Sequence, residues 1–291
     1  MKNNKFVFLA LIPIFLELVV FLGLPIFGGF GISFFEYNPL RSDNHFIGIE
    51  NFKRLLNDAV FLKSLGNTLL FVAVTVLINI CITLILAYCI SALRQGKARG
   101  FFRVVFFMPC VAPLVASSTV WARLYSTKYG LINHVVSNVF GGTPQNWLGD
   151  PGLVMLSVIV FTLWADIGYN ILLFSAGMDG IPHDFYEAAE IDGVNTFSKF
   201  FLITLPLLGR TISFVIAMTL ISHFQMFAQF QVLAPRGGPE NSGNVLTYYI
   251  YKTAFQNKDM GYASSIAVVL FAIIMVVTMV QQRLNRVDWG Y

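Results

Sequence analysis

Charged residues are scarce in this 291-residue chain, at 12% of positions against the ~25% usual in soluble domains, while 56% are hydrophobic. One core cannot hide so much apolar surface, so an ordinary soluble globule is excluded and much of the chain faces lipid. Long basic tracts are missing as well. Beyond the short run from Arg94 to Arg103, nothing favours nucleic acid, and a net charge of +4 suits loops beside anionic lipid. Cysteine is rare: Cys81, Cys89 and Cys110 all lie within apolar stretches and none forms a CxxC. They read as small packing side chains rather than disulfide partners or metal ligands. There is no GxxxxGK[ST] phosphate loop, no HExxH and no GxSG run. Ser222 and His223 are adjacent, and neighbours on a helix point about 100° apart, so they do not face each other as a nucleophile and base would. The chain is therefore expected to be no enzyme, with no metal and no cofactor of its own.

What is present is hydrophobic length. A membrane helix needs ~20 mostly apolar residues, and six stretches qualify: Phe6–Phe30, Leu69–Leu93, Val104–Leu124, Leu153–Phe174, Ile203–Phe224 and Gly261–Val280. The first exceeds the 7–15 apolar residues of a signal peptide and lacks Ala-x-Ala, so it reads as an uncleaved span. The expected fold class is all-α: a polytopic membrane protein of six transmembrane helices. Orientation follows from the density of basic residues. "RQGKARGFFR" holds Arg94, Lys97, Arg99 and Arg103 without an acid, which places that loop, both termini, and Lys2, Lys5, Arg283 and Arg286 in the cytoplasm. Trp121, Tyr125, Tyr129 and Trp147 then fall near the outer interface, where amphipathic rings are favoured.

One block interrupts this pattern. "YEAAEIDGVNTFSKFFLITLPLL" lies between two apolar segments, and five acids occur from Asp179 to Asp192. Pro182 and Asp184 suit a helix start, Gly193 a stop at positive φ, and Asn195 or Thr196 a second N-cap. Pro206 kinks or ends the second helix. A helix with alanines on one face and carboxylates on another suits docking into a partner's cleft. It equally suits a solvated connector whose acids keep it out of lipid.

The run Glu187-Ala188-Ala189, then Gly193, then Leu205-Pro206, resembles the EAA loop of binding-protein-dependent ABC importer permeases. "FIGIENFKRLL", "NTLLF", "YGLIN", "GGPENS" and "GYASSIAVVLF" extend the likeness in order to the carbohydrate-uptake branch, and within it to the type of the first maltose-transporter permease and the glycerol-phosphate permease. The resemblance implies a type I importer permease fold with a cytoplasmic coupling helix in a bacterial cell membrane. Residues 1–64 would hold the first span and an outer loop, 65–281 the permease domain, and 282–291 a short tail. It implies four partners: a second homologous permease, an ABC ATPase dimer that binds the ATP, an extracytoplasmic sugar-binding protein and the lipid membrane. It also implies roles: Glu187 pairs with a basic group of the ATPase, Ala188 and Ala189 make close contact, and Gly193 turns the chain sharply away. A self-sufficient secondary sugar carrier is the alternative, and it would carry inverted repeats and more intramembrane ionisable groups than are seen.

Charges within the apolar stretches are few. Glu17 reads as a polar contact. Asp166 is followed by Tyr169 and Asn170 one helical turn on, and Ser222, His223, Gln225 and Gln229 add polar groups at the fifth span. A buried acid costs ~2.5–3.5 kcal/mol on insertion scales, which favours a wet cavity or a buried partner. Asp166, Tyr169, Asn170 and Gln225 are thus candidates for a substrate pathway, with a contact to a neighbouring helix as the alternative.

Overall fold

The computed structural model describes residues 4–93 and 96–284, with side chains from residue 11 onward. Lys2, Arg94 and Arg286 of the orientation argument, and 285–291 of the expected tail, lie outside the described residues. In chain order the first elements are α1 (Asn4–Glu17), α2 (Leu24–Ile32), a short hairpin of β1 (Phe35–Glu36) and β2 (His45–Phe46), α3 (Glu50–Asn57) and α4 (Ala59–Ala92). Then come α5 (Lys97–Val111), α6 (Leu114–Leu124), α7 (Leu131–Asn138), α8 (Val154–Asp179), α9 (Asp184–Ile191), α10 (Thr196–Lys199) and α11 (Leu205–Leu207). The last are α12 (Gly209–Phe224), α13 (Ala228–Leu233), α14 (Leu246–Tyr251) and α15 (Met260–Leu284). The described chain forms two compact units, 4–62 with 246–272 and 63–245 with 273–284.

Among the described residues, four helical stretches are long and apolar enough to cross a membrane alone: Leu11–Ile32, Ala59–Ala92, Val154–Asp179 and Met260–Leu284. The third and fifth expected spans are each broken. Lys97–Val111 and Leu114–Leu124 meet at 93°, and Thr196–Leu207 and Gly209–Phe224 meet at 73°. The first break has a local cause. Ala112 precedes Pro113, a position biased away from the helical region, and it is extended at φ −70°, ψ 137°. The second break falls at Leu208, just after Pro206. A π turn at Phe200–Thr204 precedes it, one way a helix accommodates the missing proline donor.

In the first unit, α1 passes through a π turn at Leu18–Gly23 into α2, and Phe15, Phe21 and Phe27 stand exposed as lipid-facing side chains would. Asn51 closes the loop after α2, its amide donating to the carbonyls of Ser33 (2.9 Å) and Phe35 (3.0 Å). Asp58 starts α4 ten residues before Leu69, where hydropathy alone places the span. Its Oδ1 accepts from the amides of Val60 (2.8 Å) and Phe61 (3.2 Å), an N-cap. Its Oδ2 accepts the hydroxyls of Tyr249 and Tyr262, both at 2.6 Å. Arg54 stacks over the Tyr262 ring at 3.9 Å and pairs with Asp259 at 2.7 Å. This clasp joins the α3–α4 junction to α14 and α15.

Burial pushes the Asp58 carboxyl up, but the two tyrosine hydroxyls and the two amides outweigh it and hold the group below its ordinary 3.8. A depressed folded value means that the clasp contributes fully above about pH 3.8 and weakens as pH falls through the folded value. Asp58→Ala removes the cap, worth about 1 kcal/mol, and strands two hydroxyls, worth a further ~1–2 kcal/mol. Thermal unfolding of the detergent-solubilised chain should show that loss at pH 7 and a flatter acid limb.

The second unit is centred on α8, whose buried side chains run from Val154 to Met178. Ile171, Phe174 and Met178 pack with Leu84, Ala87 and Ile90 of α4 and with Leu208 and Val215. Helix α5 lies against α8 at Gly168, where a Cβ would clash with the Phe106 carbonyl. Tyr125 is only 3% exposed, its ring near Trp121 and Trp147 and its hydroxyl donating to the Ser157 carbonyl at 2.9 Å. It is an interior packing residue, whereas Tyr129 is exposed.

Candidate functional site

Two regions of the second unit concentrate polar chemistry. One is a cavity of about 440 Å³ among α5, the α5–α6 break, α8 and α12. Asp166, Tyr169 and Asn170 sit at i, i+3 and i+4 of α8, so one helix face presents all three to it. Thr219, Ser222 and His223 line it from α12, and Cys110 from α5.

The three α8 side chains differ in freedom. The Asp166 side chain is 34% exposed and its Oδ2 shares a hydrogen bond of 3.1 Å with His223 Nε2, while the His223 side chain is 1% exposed. Asn170 is buried, and its amide donates to Asn79 Oδ1 (2.7 Å) and Thr219 Oγ1 (3.0 Å), tying α8 to α4 and α12. Tyr169 is exposed. Gln225 lies past the end of α12, exposed and away from the cavity lining, so the structure does not bring it to the α8 trio. Gln229 is buried on α13, and Glu17 is exposed at the end of α1.

Sequence reasoning missed the support beneath this cavity. Thr75, Asn79 and Thr83 of α4 are fully buried, and Thr75 Oγ1 lies 2.8 Å from His223 Nδ1. A legible signal existed, since these three polar residues recur every fourth position in the otherwise apolar stretch Leu69–Ala87. Cys110 was read as packing alone. It also lines the cavity, with its thiol donating to the Ala165 carbonyl at 3.0 Å.

The second region is the elbow α9–α10. Helix α9 ends in a Schellman closure: Val194 N donates to Ala189 O (2.9 Å) and Gly193 N to Glu190 O (3.1 Å), with Gly193 at φ 72°. Asn195 then caps α10, its side chain accepting from the Ser198 amide at 2.8 Å. Lys199 reaches back to Glu190 at 2.8 Å, and that hydrogen bond and charge hold the Glu190 carboxyl below its ordinary value. Tyr186 and Thr204 share a hydroxyl contact of 2.9 Å.

The elbow is thus braced from within, and its other face is exposed. Glu187 and Ala188 are exposed, whereas Ala189 is 6% exposed and packs inside this chain. Ile191 is 87% exposed, an apolar residue that the sequence reading passed over. Leu205 and Pro206 lie in α11, beyond the π turn. Just before the elbow, Asp179 at the end of α8 takes Arg99 and Arg103 of α5, the latter at 2.8 Å. A cavity of about 1180 Å³ lies alongside, bordered by Tyr88, Arg99, Tyr186 and Lys199.

Comparison with known proteins adds sequence and structural likeness. The family described as "Binding-protein-dependent transport system inner membrane component" matches residues 79–287. The chain is 33% identical over 285 residues to the probable ABC transporter permease protein YurN of Bacillus subtilis, covering 97% of each. It is 31% identical to the arabinooligosaccharides transport system permease protein AraP of the same organism, over 98% of this chain and 89% of the relative. It is 30% identical to the trehalose/maltose transport system permease protein MalF of Thermococcus litoralis, over 98% and 95%. Among solved structures, a chain of a bacterial ABC transporter involved in import of the acidic polysaccharide alginate superposes with a TM-score of 0.88. That pair covers 98% of this chain and 96% of the other at 20% identity, a likeness of fold.

Proposed function

This chain belongs to the family of binding-protein-dependent transport system inner membrane components, and from that premise we propose that it forms half of the translocation pathway of an ATP-driven sugar importer. It is a multi-pass permease, and its relatives are transport permeases rather than enzymes. A sugar or polyol cargo is supported by relatives named for arabinooligosaccharides and trehalose/maltose. It is supported as well by the hydroxyl, amide and carboxylate groups that meet around the α8 cavity. Asp166 and Tyr169 would contact the passing solute there, while Asn170 holds the wall.

The observation that carries the coupling role is the elbow: internally braced, yet open at Glu187, Ala188 and Ile191. A rigid helix with an exposed carboxylate and an exposed apolar residue can transmit a push from a separate ATPase. Residues 65–281 would act as the permease domain, with Gly193, Leu205 and Pro206 shaping the exit from the elbow. Both termini would face the cytoplasm, consistent with the basic density at Lys97, Arg99 and Arg103. A second homologous permease would complete the pore, and an external sugar-binding protein would deliver cargo. On ATP binding the elbows would be drawn together and the pore would open outward.

Uptake into energised membrane vesicles tests the proposal. Uptake should persist when ionophores collapse ion gradients and stop when ATP is withheld. Uptake that follows an ion gradient, or that this chain supports alone, would instead establish a secondary carrier.

A further inference from the structure

Among the described side chains lining the α8 cavity there is one carboxylate and one imidazole, Asp166 and His223, and no lysine or arginine. Their joint charge follows from a proton count that begins at Thr75. A threonine hydroxyl has one proton to give. Thr75 Oγ1 lies 2.6 Å from the Phe71 carbonyl and 3.4 Å from that of Val72, groups that only accept. The hydroxyl proton is committed there, so towards His223 Nδ1, 2.8 Å away, the oxygen accepts and the nitrogen carries hydrogen. On the far side of the ring, Nε2 stands 3.1 Å from Asp166 Oδ2, and that contact requires one more proton between them. With that proton on nitrogen, a buried imidazolium lies behind a carboxylate. With it on oxygen, both groups are neutral. Either way the pair carries no net charge.

We infer that Asp166 and His223 are a charge-compensated pair that suits this cavity to uncharged polyhydroxylated solutes and not to anionic sugars such as uronates or sugar phosphates. Among the described lining residues an anion finds no accessible cation, because the imidazole side chain is 1% exposed and its Nε2 is engaged by Asp166. A cation finds its one carboxylate already matched. A hydroxylated solute finds an acceptor held in fixed geometry, which costs little ordering on binding. Thr75 and His223 are thus positioning residues that act through Asp166. The inference rests on reading the cavity as part of the substrate path.

Cys110 makes this measurable, since it lines the same cavity and the chain has three cysteines in all. With Cys81→Ala and Cys89→Ala in place, it is the one thiol left in this chain, on which labelling is read. Membrane vesicles carrying the full-length chain and its native partners would be treated with two methanethiosulfonates, one bearing trimethylammonium and one sulfonate. The ratio of their rates, normalised to that for a small free thiol, cancels the reactivity of Cys110 itself and reports the local potential. The expected ratio is within about threefold of unity. Adding His223→Gln should unmask Asp166 and raise the preference for the cationic reagent to about tenfold, the scale of one unit charge acting through a few ångströms of water. Adding Asp166→Asn to that variant should return the ratio to near unity. A tenfold preference of either sign in the His223 chain, or no change with His223→Gln, would overturn the compensated pair while leaving the cavity water-accessible. If neither reagent reached Cys110, with or without ATP, the pathway reading itself would fall, and this inference with it.

Discussion

Glu187→Lys is expected to leave the chain folded and inserted and to lower ATP-dependent uptake by at least about 100-fold. Within the chain Glu187 has little to lose. Its side chain is 66% exposed, and the nearest opposite group, His183 Nε2, is 3.9 Å away one turn back, a geometry worth at most ~0.5 kcal/mol. The brace of the elbow does not involve it, since Lys199 bonds Glu190 and the Schellman closure is made by backbone. Against a basic partner the same change replaces attraction with like-charge repulsion, which costs several kcal/mol, and each 1.4 kcal/mol is roughly tenfold in affinity. Three measurements separate the outcomes: thermal unfolding of the purified chain, the amount of ATPase that copurifies, and uptake. Normal uptake with the ATPase still bound would remove Glu187 from the proposed coupling role.

Gly168→Ala should have the largest effect on stability, about 3 kcal/mol, although it adds one methyl group to a helix and raises helix propensity. The glycine lies where α5 crosses α8. A Cβ there meets the carbonyl of Phe106 and approaches the Cα of Phe107 at 2.8 Å, and backbone cannot rotate aside as a side chain can. Overpacking a close contact typically costs 1–3 kcal/mol, and here two helices must separate. The damage should spread, because α5 carries Cys110 and the cavity wall, and Arg99 and Arg103 that hold Asp179 beside the elbow. A lowered unfolding temperature, with loss of monodisperse protein in detergent, is the expected result. Unchanged stability would mean that α5 and α8 are not in backbone contact.

The elbow was legible almost to the residue. Helix start, Gly193 turn, Asn195 cap and Pro206 are local features, each fixed by side-chain and backbone groups within a few positions, so a one-dimensional reading can find them. The α8 trio was legible for the same reason, since i, i+3 and i+4 spacing places residues on one face wherever the helix goes. Gln225 does not line the cavity, because α12 ends at Phe224, where hydropathy also ends the span, and the turn that follows takes Gln225 off the helix face. The break at Ala112 was missed although Pro113 stood beside it, because an apolar window of twenty residues averages over a bend, whereas a kink at Pro206 was expected and the bend falls two residues later, at Leu208.

Composition and hydropathy determined that this chain lives in lipid and that its long helices lie in apolar runs, and local motifs placed a helix, a glycine turn and a second helix at its acidic block. Those are properties of residues acting on solvent or on near neighbours. The pairings of Thr75 with His223, His223 with Asp166, and Asp58 with Tyr249 and Tyr262 join residues 57 to 204 positions apart. Only tertiary packing decides them, because a hydrogen bond depends on where helices cross, and nothing in the local order of residues encodes that crossing.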